Sequence, residues 1–218
     1  MTESEWLTET DHYRHVPFVA DRISRRQARL LAVAFCRAAW DRLDEAGLRA
    51  AVEVAERYAD DAATRDELED ARQSARETAV KSKVLHEQLL STDPSAAEVH
   101  HLRHELAWAV AFTATSPVPI LKVGERVVEL VGAAAGAVVL DLVGNPFRPA
   151  EFDPSWRTET VLALARRMYE TREFSAMPIL ADALQDAGCD DDDVLTHCRH
   201  EGVHVRGCWV VDGVLGKI

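Results

Sequence analysis

The chain has 218 residues, of which 47% are hydrophobic, so it is long and apolar enough for one large domain or two small domains with a real core. Its formal net charge of −12 argues against nucleic-acid binding, because that binding draws most of its affinity from Lys and Arg side chains on phosphates. The first residues contain neither a basic region nor an apolar run of signal-peptide length, so we expect a cytoplasmic protein.

Helix-start patterns recur along the chain, whereas strand patterns are scarce. Ser24 and Gln27 form a capping box, and the apolar residues that follow at helical spacing predict a buried helix over about 24–41. Two further helices follow, the second longer and more polar. We therefore expect an all-α protein, an irregular bundle of eight to ten helices with Trp40, Trp108 and Trp156 in its core.

A group of arginines marks the start of the first long helix: Arg22, Arg25, Arg26 and Arg29. Positive charge there opposes the helix dipole, so an anionic group should face it. Residues 41–80 carry twelve acidic and six basic side chains, and pairing within the chain is one interpretation. The alternative is an interaction site for the acidic surface of a partner protein or for a phosphate group.

A histidine-rich segment, EVHHLRHE, follows the helix start predicted at Asp93 and Pro94. His100 and His104 are four residues apart, a spacing that can chelate zinc. The zinc-protease motif H-E-x-x-H requires Glu after the first His, but His101 occupies that position. The sequence therefore excludes that protease motif, and a solvated helix face is the competing interpretation.

The most apolar stretch spans residues 127–144. It carries Glu129 and Asp141, and the run between them is much shorter than the roughly 20 residues that a membrane-spanning helix needs. We expect no membrane insertion and predict a central core helix over 127–143.

The segment LVGNPFRPAEFDP contains the best internal boundary. Gly144 suits the left-handed conformation that ends helices, and the prolines after it prevent helix continuation. We predict an N-terminal helical part over 1–144, an extended linker over 145–153 and a C-terminal helical part over 154–218 whose first helix begins near residue 154, or one continuous domain. The linker could also be a recognition loop that displays Phe147 and Arg148.

Several pieces of the sequence together resemble an uncharacterised bacterial family that occurs as many paralogous copies per genome. The pieces that carry the resemblance are MTESEWL, LLAVAFCRAAW, AVEVAERYADD, GNPFRP, MPILADALQDAGCDDDDVLTHCR and HVRGCWVVDGVLGK. The resemblance implies no activity and no cofactor. Related sequences often carry two adjacent cysteines in the first long helix, whereas this chain has Phe35 and Cys36 there.

The C-terminal tail concentrates cysteine, histidine and aspartate. The aspartates at 190–193 fit an N-cap and first helical turn, and they lack the ligand spacing of a calcium loop. A zinc site could use Cys198, His204 and Cys208, completed by His197 or His200. The competing interpretations are reduced cysteines, Cys189 included, that pack as small apolar residues, and a disulfide or reactive thiol.

No phosphate-binding glycine loop, hydrolase elbow or dinucleotide-binding motif occurs in the sequence. We therefore predict a noncatalytic helical interaction or regulatory module that binds a protein partner and needs no cofactor. The alternative is a metal-dependent enzyme or a zinc-stabilised domain that uses the C-terminal cysteines and histidines.

Overall fold

The computed structural model describes residues 1–9, 14–132 and 134–217. Within these ranges the chain forms twelve α-helices, ten of them seven or more residues long, and no β-strand. The predicted all-α class is therefore confirmed. Each of these helices is too short or too polar to cross a lipid bilayer.

The chain divides into two compact units. One unit comprises residues 10–136, and the other combines residues 1–9 with residues 137–218. We call them the histidine-helix unit and the tail unit. The domain boundary predicted between residues 144 and 145 stays a prediction. In the structure, residues 137–144 belong to the tail unit.

The histidine-helix unit is built from α2 to α7 and the first residues of α8. The helices are α2 (His15–Val19), α3 (Arg25–Ala38), α4 (Ala46–Ala59), α5 (Arg65–Leu89), α6 (Pro94–Thr113), α7 (Ile120–Val131) and α8 (Ala134–Val143). The predicted capping box at Ser24 is present, and Asp93 caps α6 by accepting a hydrogen bond from the Ala96 backbone N–H at 3.0 Å. The core of this unit includes Leu31, Phe35 and Leu106.

The tail unit contains α1 (Glu3–Thr8), most of α8, α9 (Glu159–Thr171), α10 (Met177–Asp186), α11 (Asp192–Arg199) and α12 (Trp209–Leu215). Trp6 of α1 is fully buried and donates a hydrogen bond from Nε1 to the Gly144 carbonyl at 3.0 Å. Helices α9 to α12 enclose a shared core that includes Met168, Leu180 and Val210. The last segment of the chain therefore packs onto the preceding helices of the tail unit.

Two predicted helices differ from the observed ones. The prediction of a single helix over 127–143 is wrong, because α7 ends at Val131 and α8 begins at Ala134. Gly132, between them, has a φ of +53°, which interrupts a right-handed helix. Ala133 lies outside the described residues. The helix predicted near residue 154 is a single 3₁₀ turn, Pro154–Trp156, and α9 begins only after Thr158, whose side chain caps it.

The predicted tryptophan core is only partly present. Trp156 is buried, but Trp40 and Trp108 are half-buried. Arg37 lies 4.7 Å from the Trp40 ring centroid, so a guanidinium group covers part of the indole. Arg76 covers Trp108 in the same way at 5.9 Å. These indoles therefore lie beneath arginine side chains rather than deep in the core.

Candidate metal centre

Four side chains of the tail unit bring metal-binding atoms together: Asp141, His197, His204 and Cys208. One donor atom from each lies within 4.8 Å of the donor atoms of the others. Within the described ranges, no other group of three or more such side chains meets this criterion. Three sequence-predicted ligands, His197, His204 and Cys208, are therefore joined by a carboxylate that was not among the predicted ligands, whereas the predicted ligand Cys198 is not part of the group.

The donors come from separate elements whose positions the local sequence fixes. Asp191 caps α11 by accepting hydrogen bonds from the backbone N–H groups of Asp193 and Val194, at 2.9 and 3.1 Å. His197 lies in the last turn of that helix. The following segment is not helical, and a turn with Gly207 at a φ of +98° leads into Cys208, the residue directly before α12.

Asp141 is the centre of this arrangement. It lies near the end of α8 and is only 3% exposed. One carboxylate oxygen, Oδ2, accepts a hydrogen bond from the Val205 backbone N–H at 2.8 Å. The other, Oδ1, lies 2.6 Å from His204 Nδ1 and 3.1 Å from His197 Nε2. The backbone contact therefore orients the carboxylate so that Oδ1 faces both imidazoles.

Asp141 and His204 each favour the charged form of the other. Burial alone would raise the pKa of the Asp141 carboxyl, but hydrogen bonds from His197 and His204 outweigh burial and hold that pKa below its usual value. Burial alone would lower the pKa of His204, but its hydrogen bond to Asp141 and the negative charge there raise it. The backbone of His200 acts in the same direction, although His204 Nε2 has no partner at hydrogen-bonding distance.

Cys208 supplies the sulfur donor. It is fully buried, and burial raises the pKa of its thiol well above the ordinary value. His197 Nε2 lies 3.3 Å from Cys208 Sγ and faces Asp141 Oδ1 with the same nitrogen. A catalytic Cys–His–Asp triad uses opposite ring nitrogens for the thiol and the carboxylate. The arrangement is therefore one of donors converging on a point, not a proton relay.

The geometry fits a tetrahedral zinc ion after small movements. Zinc bonds of about 2.0–2.3 Å place the ligand atoms roughly 3.2–3.8 Å from one another. The 3.3 Å between His197 Nε2 and Cys208 Sγ already falls in that range. The 2.6 Å hydrogen bond between His204 and Asp141 must lengthen by less than about 1 Å to reach it.

Aromatic side chains flank the two imidazoles. The Trp209 ring lies 5.1 Å from the His197 ring, and the Phe174 ring lies 6.3 Å from the His204 ring, between centroids. The Cβ that a side chain would add at Gly144 would lie 3.0 Å from the Trp209 indole, so this position leaves room only for glycine. An apolar surround of this kind limits water access to the donors.

The other cysteines and histidine of the tail lie outside the group. Cys198 is buried in the core of the tail unit, where burial raises its pKa to about 12. Cys189 is buried in the same core, and all four cysteines of the chain are free thiols. His200 is exposed. Cys189 and Cys198 are therefore buried in the core, as the packing interpretation predicts, whereas Cys208 belongs to the donor group.

The predicted arginine group does not form one surface. Arg29 is buried and donates hydrogen bonds to the Thr115 carbonyl at 3.1 Å and to Ser116 Oγ at 3.0 Å. Arg26 pairs with Asp60 at 3.0 Å, an acidic residue of the 41–80 stretch. Arg22 and Arg25 are exposed, and the Arg22 guanidinium lies 4.2 Å from the Phe18 ring centroid.

The segment over 145–153 contains a turn and no helix. Asn145 Oδ1 accepts a hydrogen bond from the Phe147 backbone N–H at 3.0 Å, and the Phe147 side chain is 39% exposed. Arg148 is exposed and pairs with Glu3 at 2.6 Å and with Asp193 at 3.8 Å. Arg148 therefore contacts acidic residues of its own unit.

Sequence reasoning missed Asp141 because it lies far from the cysteines and histidines along the chain. One available indication was a carboxylate inside an otherwise apolar helix, since a buried charge needs a partner. No protein-family model, no curated protein and no solved structure matches the chain.

Proposed function

We propose that the tail unit is a noncatalytic helical domain stabilised by one zinc ion, bound by Asp141, His197, His204 and Cys208. The observation that carries the proposal is the convergence of four donor atoms from separate elements within 4.8 Å of one another. Asp141 is a buried carboxylate, and a buried charge needs paired groups or a metal beside it.

The donor types favour zinc among the common metals. Calcium and magnesium prefer a larger number of oxygen ligands, so a site built from two imidazoles, a thiol and one carboxylate does not suit either ion. Imidazole and thiolate suit zinc, and four ligands suit its tetrahedral preference. The raised pKa of Cys208 means that a metal must displace the thiol proton, so binding should release a proton.

A structural role is better supported than a catalytic one. Four protein ligands fill a tetrahedral zinc ion, whereas catalytic zinc sites use three and leave a position for water or substrate. The metal-dependent enzyme remains the alternative, and it would require one of the four residues to stay unbound. Glu201 and His204 line a cavity of about 440 Å³, which is where a substrate would have to enter.

The biological role that we propose is an interaction or regulatory module that binds a partner protein in the cytoplasm. The exposed Phe147 side chain on a turn between helices supports a contact surface. Arg22 and Arg25 are exposed as well and offer a separate contact surface on the histidine-helix unit.

The zinc proposal is tested by metal content and thermal stability. Protein purified without a metal-affinity step should contain one zinc per chain, and a chelator should lower its melting temperature. Removing a ligand whose free concentration is a thousandfold above its Kd lowers the free energy of unfolding by about 4 kcal/mol. In a chain of this size, that lowers the melting temperature by an amount on the order of 10 °C. His204→Gln should lose the zinc, whereas His200→Gln, in the same segment but exposed, should keep it.

Cobalt substitution identifies the sulfur ligand. Cobalt-loaded protein should show a thiolate-to-cobalt charge-transfer band, and Cys208→Ser should abolish it while Cys198→Ala leaves it in place. Zinc-free protein whose melting temperature is insensitive to chelation would contradict the proposal. In that case Cys208→Ser should cost only about 1–3 kcal/mol, through burial of a polar hydroxyl in place of the thiol.

A further inference from the structure

A second group of imidazoles lies in the histidine-helix unit, on α5 and α6. His86 of α5 and His101 and His104 of α6 line a cavity of about 380 Å³. Glu87, Glu105, Lys83 and Leu90 complete its lining. His101 is exposed and His86 is half-buried, so a solute can reach these rings.

Two of these rings are held in a fixed orientation and tautomer. His86 Nδ1 lies 2.8 Å from the Ala97 carbonyl oxygen, and His104 Nδ1 lies 2.7 Å from the Ala79 carbonyl oxygen. A carbonyl only accepts hydrogen bonds, so Nδ1 carries the proton in both rings and Nε2 carries the lone pair. Hydrogen bonds of this kind to the backbone are typical of histidines that bind metals through the opposite nitrogen.

The spacing of His86 and His101 matches that of two imidazoles on one ion. Their ring centroids are 5.2 Å apart. With metal–nitrogen bonds of about 2.0–2.1 Å, two imidazoles on one tetrahedral ion have centroids about 5 Å apart. The two imidazoles of the Asp141 centre are 5.0 Å apart by the same measure.

The charges around the pair do not oppose a cation. Glu87 and Glu105 are the acidic groups of the cavity, and Lys83 is its one lysine among the lining residues. Lys83 lies 3.9 Å from Glu87, and Arg126 pairs with Glu105, so the cations near the cavity are already matched by carboxylates. The two helices therefore present these imidazoles without an uncompensated positive charge beside them.

We propose that His86 and His101 form a second metal site, which binds one divalent transition-metal ion through imidazole nitrogen. The Asp141 centre is the single group of three or more donors within mutual reach among the described residues, so this site has two protein ligands and leaves the other positions to water or a carboxylate. Imidazole sites follow the Irving–Williams order, so Cu²⁺ should bind most tightly, then Ni²⁺, then Co²⁺.

The test is a calorimetric titration of the zinc-loaded protein with the chloride salt of Ni²⁺ or Cu²⁺. One equivalent should bind beyond the zinc. His101→Gln and His86→Gln should each weaken that binding at least tenfold. His100→Gln is the matched control, because His100 is the neighbouring residue on α6, contacts Arg103 at 3.3 Å and does not line the cavity.

Electron paramagnetic resonance of the Cu²⁺ form supplies a second readout, since nitrogen hyperfine structure should indicate two imidazoles in the parent protein and one in His101→Gln. His101 is exposed, so this variant should keep the fold, which circular dichroism checks. Equal binding by His101→Gln and the parent protein, or an equal loss in His100→Gln, would overturn the proposal. Either result can be obtained whether or not the Asp141 centre binds zinc.

Discussion

Glu56 of α4 is a carboxylate that the fold buries completely. Its side chain accepts hydrogen bonds from Arg37 Nε at 3.1 Å and from Arg37 Nη2 at 2.8 Å, a two-point contact that fixes the arginine on α3. Such a pair gains little over apolar residues of the same volume, but removing Arg37 takes its positive charge away from a buried carboxylate, which is costly.

Arg37→Met should therefore destabilise the protein by about 3–5 kcal/mol, and Glu56→Gln should cost less because its amide is neutral. Urea denaturation followed by circular dichroism measures both. The double variant Arg37→Met with Glu56→Met should recover most of the loss. If the double variant is no more stable than Arg37→Met alone, the cost comes from lost packing of Arg37 on Trp40 rather than from the unpaired charge.

At the scale of elements, α12 depends on a glycine in its interior. A Cβ added at Gly213 would overlap the Phe152 ring. That ring is confined by Trp156 at 6.3 Å and Trp209 at 6.1 Å between centroids, so it has little room to move. The absence of a side chain at Gly213 therefore allows the close packing of α12 on the segment before α9.

Gly213→Ala should destabilise the tail unit by about 1–3 kcal/mol through overpacking. Gly47→Ala is the matched control, because Gly47 also lies in a helix but its new Cβ would meet Ser74 Oγ at an ordinary 3.6 Å. The control should gain about 0.5–1 kcal/mol from a lower backbone entropy cost. Thermal denaturation compares the two, and an unchanged melting temperature in Gly213→Ala would mean that the Phe152 ring moves aside freely.

The elements that sequence reasoning predicted well are those whose ends are set by local chemistry. The capping box at Ser24 and the Asp93–Pro94 start place α3 and α6 correctly, because the cap satisfies backbone groups of its own turn. The break at Gly132 was missed because glycine is tolerated in helices, and nothing local requires the positive φ that it adopts.

The candidate centre shows the same limit. His197, His204 and Cys208 share a short segment, so their chemistry could be weighed together from the sequence. Two features of the centre could not be predicted from local patterns. Cys198 is buried in the core of the tail unit instead of joining the donors, and α8 contributes Asp141. Contacts between residues distant in sequence are set by packing, which residue spacing does not encode.

At the scale of the whole molecule, each unit has its own buried core, and the four proposed zinc ligands all belong to the tail unit. Two of them, His204 and Cys208, lie in or beside the non-helical stretch between α11 and α12, which has few backbone hydrogen bonds of its own. The ion would therefore substitute for regular secondary structure there, and its removal should act locally before it acts globally.

Hydrogen exchange measured with and without a chelator gives the last prediction. On zinc removal, residues 192–215 should lose protection most strongly, because the ion joins α11, the 200–208 segment and α8. Helices α3 to α6 should keep their protection, since their core contains none of the four ligands. In the His204→Gln variant the chelator should change nothing further. Equal loss of protection in α3 to α6 would mean that the two units unfold as one, and that the stabilising effect of the ion extends beyond the tail unit.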